Sequence, residues 1–176
     1  MYKRQKLGEM IKIGRRGSLT GKLNIIGHQG HVAYPSRANN PSTIIVNILK
    51  ELKEIQFDKG TRDFQPTNLE VTRININNTA DNVIPATAEA TFNIRFNNKH
   101  SSNSLKKKLN KIFRKMTKKH KSKFKIEYRV SGEAFLTKPN KTTFMIQNII
   151  KKITKLKPRL STTGGTSDLR FIRTIC

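Results

Sequence analysis

Residues 86–97 read Ala86-Thr87-Ala88-Glu89-Ala90-Thr91-Phe92-Asn93-Ile94-Arg95-Phe96-Asn97. Ala86, Ala88, Ala90, Phe92, Ile94 and Phe96 recur at a period of two, with Thr87, Glu89, Thr91, Asn93 and Arg95 between them. Successive side chains of a strand point to opposite faces, so the pattern predicts a strand with one dry face and one wet face. A dry sheet face needs a second layer to cover it. The neighbouring sequence supplies that layer. Ser18 to Ile26 alternates in the same way, Leu69 to Ile76 is β-branched and strand-like, and Phe124, Ile126, Tyr128 and Val130 alternate with Lys123, Lys125, Glu127 and Arg129. Two stretches change to helical spacing. After Asn40-Pro41, a capping amide before a first-turn proline, come Ile45, Ile48, Leu49, Leu52 and Ile55. Between Ser101 and His120, Leu105, Leu109, Ile112, Phe113 and Met116 form a stripe opposite a dense Lys/Arg face.

Residues 18–131 therefore read β-α-β-β-α-β. The fold class expected is α+β: a four-stranded antiparallel sheet with both helices on one face, a ferredoxin-like layer. Residues 1–17 contain no complete element of their own. From Gly132 the pattern changes again, with an amphipathic helix from Phe144 to Leu156, a Gly/Ser/Thr loop from Ser161 to Asp168 and a short helix from Leu169.

Thirty-six Lys and Arg stand against 11 Asp and Glu in 176 residues, a formal charge of +25. A surplus of that size invites an anionic partner, nucleic acid or a membrane surface. It is also the product of compositional drift, because Lys, Asn and Ile are all abundant, and drift is the preferred explanation. Cys176 is the sole cysteine and is terminal, so no disulfide forms within the chain, which fits a reducing cytoplasm. The start, Met1-Tyr2-Lys3-Arg4-Gln5-Lys6, is basic but no long apolar run follows. Neither a signal peptide nor a membrane-spanning helix is expected.

Four blocks carry chemistry. Gly27-His28-Gln29-Gly30-His31-Val32-Ala33-Tyr34-Pro35 presents an imidazole directly after the second of two glycines. Glycine's backbone freedom is the expected reason for a turn of this type. The others are Gly14-Arg15-Arg16-Gly17-Ser18-Leu19, Asn82-Val83-Ile84-Pro85 and Gly164-Gly165-Thr166-Ser167-Asp168. Each alone has a plain reading. His31 would be a loop histidine, Asn82 a turn former, Arg95 a solvated strand residue, the glycine pair a flexible connector and Asp168 a helix cap.

In this order, with Phe57-Asp58-Lys59-Gly60, Pro66-Thr67, Phe92-Asn93-Ile94-Arg95-Phe96 and Leu160-Ser161-Thr162-Thr163 in register, the blocks resemble the succinyl-diaminopimelate desuccinylases. These are dinuclear-zinc amidohydrolases related to aminoacylases and exopeptidases. The resemblance runs from about Leu7 to about Cys176. It implies that residues 18–131 form the family's lid, or dimerisation, domain. Residues 1–17 and 132–176 would then be partial pieces of the catalytic domain on either side of it.

By the same resemblance His31 reaches across a dimer interface and donates to the developing oxyanion in the partner's site. Asn82 lies near the same place, although Asp81 stands where close relatives often carry a second Asn. Arg15 and Arg95 match cations that hold substrate carboxylates, for which a guanidinium fork is suited. Gly164, Gly165, Thr166 and Ser167 match a loop that holds the succinyl end, and Tyr34 neighbours His31. The family's two zinc (or cobalt) ions imply His, Asp and Glu ligands, and no His-x-Asp or Glu-Glu cluster occurs here. No bound metal is therefore expected of this chain alone. The reading is of a cytoplasmic desuccinylase-like piece, inactive by itself, with a small-molecule substrate and a partner that is a second copy or a companion catalytic fragment. A dimerisation fragment of a split gene is an alternative description. A basic RNA-binding α+β module is a second, but the wet face Thr87, Glu89, Thr91, Asn93 and Arg95 offers no aromatic ring for base stacking, so nucleic acid is not the expected partner.

Overall fold

The computed structural model describes residues 9–164. In chain order the elements are β1 (Met10–Lys12), β2 (Gly14–Arg15), β3 (Gly17–Ile26), β4 (Gly30–His31), a 3-10 turn (Pro35–Arg37), α1 (Pro41–Lys53), β5 (Asn68–Asn75), β6 (Val83–Ile84), β7 (Thr87–Phe96), α2 (Ser102–Lys119), β8 (Lys123–Gly132), β9 (Phe135–Leu136), α3 (Lys141–Thr154) and β10 (Arg159–Ser161). The main sheet has the order β5-β7-β3-β8, antiparallel throughout, with register Gly17↔Phe96 to Ile26↔Thr87 between its two central strands. Both α1 and α2 contact this sheet and each other. That is the α+β, ferredoxin-like layer the alternation predicts.

The core lies between sheet and helices. Leu19, Leu23 and Ile25 of β3, Phe92, Ile94 and Phe96 of β7, Ile45 and Ile48 of α1, and Leu109 and Phe113 of α2 are fully buried. Gly21 faces the same layer because the Phe92 ring lies directly over its Cα. The helices begin where their caps demand. Asn40 accepts from the Ser42 N–H at 2.9 Å, and Ser101 and Ser104 form a reciprocal capping box.

Two local expectations change, and one strand carries an irregularity. Within residues 9–17 there is structure: β1 pairs in parallel with β10, and β2 pairs with β9. These partners are more than a hundred residues away in sequence, so no local periodicity announces them. The third helix begins at Lys141 rather than Phe144, because Asn140 accepts from the Thr143 N–H at 3.0 Å and fixes the start. In β5 the register shifts between Val71 and Arg73, which turns Ile74 toward the helix side, where it stays 54% exposed. The expected helix from Leu169, together with Gly165, Thr166 and Ser167, lies outside the described residues.

Candidate functional site

The candidate residues fall into two groups. The first is built on the link from β3 to α1. β4 pairs antiparallel with β6, matching Gly30 to Ile84 and His31 to Val83, and the Val32 N–H donates to the Asn82 carbonyl at 3.0 Å. Two short strands thus hold His31 beside Asn82, though some fifty residues separate them in sequence. The glycines permit this by their size and not by left-handed geometry, which is a correction to the expectation above. Positive-φ glycines among the described residues are Gly60 and Gly164. A Cβ on Gly30 would lie 2.7 Å from the Ala38 Cβ, and one on Gly27 would collide with the Asn39 carbonyl. The chain folds back tightly here, with His28 and Asn39 exchanging both backbone hydrogen bonds at 2.9 Å.

The His31 ring is exposed, and its Nδ1 accepts from the Ala33 N–H at 3.1 Å. In the neutral ring an acceptor at Nδ1 places the proton on Nε2, so the outward nitrogen is the donor. The Tyr34 ring lies 6.0 Å away, tilted by 52°, and Arg37 Cζ sits 5.4 Å from the Tyr34 ring centroid. Asn82 is exposed at the turn that leads into β6.

The second group lies where β1 and β2 meet β9 and β10. Arg15 Nη1 donates to the Thr163 carbonyl at 2.6 Å. The next residue, Gly164, has φ +106°, and a Cβ on it would lie 2.7 Å from that guanidinium. Both facts call for glycine at the mouth of this loop. Lys12 joins the group, donating to Thr163 Oγ1 at 2.9 Å, and its ammonium pKa is lowered by burial and then by the Arg15 charge. No local pattern points to Lys12, because only the parallel β1–β10 pairing brings it to Thr163. Arg95 sits on the wet face of β7, opposite Ser18 of β3 and Asn68 of β5. Beside it, Arg16 donates to Asn68 Oδ1 at 2.9 Å, and its pKa is lowered by burial and by Arg95. Arg16 belongs to the Gly14–Leu19 motif, where nothing local distinguishes its charge from that of Arg15.

The two groups do not meet. Arg15 precedes β3 and His31 follows it. The ten residues of β3 put roughly 30 Å between its ends at about 3.3 Å per residue. Among the described residues no three His, Cys, Asp or Glu side chains come together as metal ligands, so the zinc pair implied by the resemblance does not fit the residues present. No described helix is long and apolar enough to cross a membrane. A cleft of about 500 Å³ between the end of α1 and β5 is lined by Phe57, Asp58, Pro66 and Glu70 among others and contains none of the candidate residues.

The family model of the peptidase dimerisation domain matches residues 13–121. The chain belongs to that family. Among curated relatives it is similar to the succinyl-diaminopimelate desuccinylase of Pelagibacter ubique, 79% identical over 170 residues, which are 97% of this chain and 44% of the relative. The same enzyme of Parvibaculum lavamentivorans is 49% identical over 96% of this chain and 43% of its own length. The chain thus spans less than half the length of the curated relatives it matches. Among solved structures, a tripeptidase from Staphylococcus aureus superposes with a TM-score of 0.77 at 18% identity, over 93% of this chain and 42% of that one. An aminopeptidase from Bacillus cereus gives 0.76 at 15% identity, over 94% and 43%. At those identities the two structures establish the fold of the peptidase dimerisation domain family and nothing finer.

Proposed function

We propose that this chain supplies the lid and dimerisation part of a succinyl-diaminopimelate desuccinylase-like amidohydrolase. Its reaction would be hydrolysis of N-succinyl-LL-2,6-diaminopimelate to succinate and diaminopimelate. The observation that carries this reading is the 79% identity to a desuccinylase over nearly the whole chain. Residues 18–131 would be the lid. Residues 1–17 and 132–176 would belong to a second, catalytic domain. Two features support that boundary. β1 and β10 lie side by side in a small parallel pair outside the main sheet. The apolar stripe of α3 stays open, with Phe144 51%, Ile149 49% and Ile153 75% exposed.

Amide hydrolysis builds negative charge on the former carbonyl oxygen, and a fixed N–H aimed at that oxygen lowers the barrier. His31 Nε2 is the group assigned to this task, and the Ala33 N–H on Nδ1 keeps the donor proton on the outward nitrogen. The Asn82 side-chain amide would serve as a second donor. Arg15 and Arg95 would take substrate carboxylates, and Gly164 with Gly165, Thr166 and Ser167 would hold the succinyl end. Tyr34 would pack against His31. Because roughly 30 Å of strand separates Arg15 from His31, a complete site takes them from two copies, which supports a homodimer. The family's two zinc or cobalt ions would be held by the part of the relatives' length that this chain does not span. No step of the reaction is assigned to a metal on this chain.

Three measurements test the proposal. Purified chain with added zinc or cobalt should show no desuccinylase turnover. Co-expression with the remaining portion of the Pelagibacter relative should produce it. In that assembly His31→Ala and Arg15→Ala should each lose activity by at least about a hundredfold, and a mixture of the two should recover activity in hybrid dimers. Continued inactivity of the mixture would show that the two groups do not serve one site from different copies. If the assembly never turns over, the chain is a dimerisation fragment without catalytic use.

A further inference from the structure

From Asn98 to Ile126 the chain carries twelve of its 36 Lys and Arg and no Asp or Glu. The structure gathers most of these on one surface. α2 buries Leu105, Leu109 and Phe113 in the core and turns Lys107, Lys108, Lys111, Arg114, Lys115 and Lys118 to solvent. Lys107, Lys111, Arg114 and Lys118 fall at helical spacing along one ridge, about 16 Å long at 1.5 Å per residue. Exposed Lys121 and Lys123 continue the surface into the edge strand β8. Among the described residues the acidic partner of an α2 cation is Glu51, 3.9 Å from Lys115.

Compositional drift does not account for this arrangement. Drift adds Lys wherever side chains are solvated, and a longer acid-free stretch, 134–167, spreads seven Lys and Arg over its 34 residues, against twelve in the 29 residues from 98 to 126. Around α1 and β3, by contrast, acids sit among the cations. Lys50 and Lys53 of α1 share their helix with Glu51, Lys22 of β3 pairs with Glu89 at 3.5 Å, and Lys53 pairs with Glu70 at 2.8 Å. The face of α2 lacks acids along its whole length.

We propose that the outer face of α2, continued by Lys121 and Lys123, docks on the sugar-phosphate backbone of duplex nucleic acid. A duplex presents one negative charge per about 1.7 Å of its axis, so a straight ridge of cations meets several phosphates at once. The helix offers nothing to a bilayer interior, because Leu105, Leu109 and Phe113 are buried in the core and Ile112 and Met116 pack against it. It also offers no exposed aromatic ring on which the splayed bases of a single strand would stack. Contacts of this kind position a protein without reading sequence. They differ from base stacking on the sheet, which the ring-free wet face already opposes.

The test is fluorescence anisotropy of the full chain with short labelled DNA duplexes of two unrelated sequences. The two should bind equally. For about five phosphates neutralised, affinity should fall with salt at a log–log slope of about −4.5, or about 500-fold between 50 and 200 mM. The variant Lys107→Glu/Lys111→Glu/Arg114→Glu/Lys118→Glu should bind at least tenfold more weakly at low salt, with circular dichroism reporting an unchanged fold. The corresponding Gln variant, which preserves helix propensity without reversing charge, should show a smaller loss in the same direction. A control with the same change in net charge, Lys141→Glu/Lys151→Glu/Lys152→Glu/Lys157→Glu on and beyond α3, should bind like wild type. The proposal is overturned if wild type does not bind at low salt, or if the control loses as much as the α2 variant. Tighter binding to a single strand or to phosphatidylserine vesicles than to the duplex would equally overturn it.

Discussion

At the residue scale, Asp58 shows how one side chain can organise a loop. Its Oδ1 accepts from the Gly60 N–H at 2.6 Å and from Asn97 Nδ2 at 2.7 Å, and its Oδ2 lies 3.1 Å from His100 Nε2. Burial alone would raise its pKa. Hydrogen bonds from Thr67, Gly60 and Asn97 to the charged form outweigh burial and bring it from 3.8 to about 2. A depressed carboxylate pKa stabilises the fold fully above its unfolded value and loses that contribution as pH falls through the folded value. We therefore predict that Asp58→Asn destabilises the chain by about 2 kcal/mol at pH 7, taking 1.36 kcal/mol per unit. The difference from wild type should shrink between pH 4 and pH 2, as read by urea unfolding. A pH-independent difference would mean that lost packing and not ionisation is responsible. His31 makes a second prediction at this scale. In the reconstituted assembly, His31→Ala should lower kcat by about 10²–10³, the range for loss of one oxyanion donor, with KM nearly unchanged. A change confined to KM would place His31 in binding alone.

At the element scale, β3 and α2 carry the core and respond to volume in opposite senses. Phe113 is fully buried and its ring centroid lies 6.3 Å from that of Phe92 and 5.7 Å from that of Phe124. Phe113→Ala should cost about 3–5 kcal/mol, from lost transfer free energy and the cavity left behind. In β3 the constraint is crowding. A Cβ on Gly21 would lie against the Phe92 ring, 2.7 Å from Cε2. Gly21→Ala should destabilise by about 1–3 kcal/mol, although alanine is intrinsically the better residue in regular structure. Thermal unfolding of the two variants checks both values, and a neutral Gly21→Ala would show that the Phe92 ring has room to swing away.

At the scale of the whole molecule, the two halves of the candidate site lie at opposite ends of one strand. A single copy cannot bring His31 to Arg15 without breaking the sheet, in which β3 is bonded on both sides, to β7 and to β8. We predict that the chain is a dimer in solution, with light scattering returning twice the chain mass and the value falling to one chain mass only on dilution. A monomer at all concentrations, with an intact circular dichroism spectrum, would leave His31 without the site it is assigned to serve.

The sequence by itself determined the layered domain. Alternation in Ala86 to Asn97 and the stripes of α1 and α2 are local records of burial, since each residue's polarity reports the face it occupies. The same logic made Asn40 and Ser101 legible as helix starts, because a capping bond spans only two or three residues. What the tertiary structure decided were the meetings between distant segments. Lys12 and Arg15 reach Thr163 only through pairings across about 150 residues, and His31 stands beside Asn82 only because β4 adds to β6. The glycines around His31 were legible as necessary but for a different reason, since the close approach of Ala38 and Asn39 exists only once the chain has folded back. Periodicity records which face of an element is dry; it holds no record of which distant element arrives there.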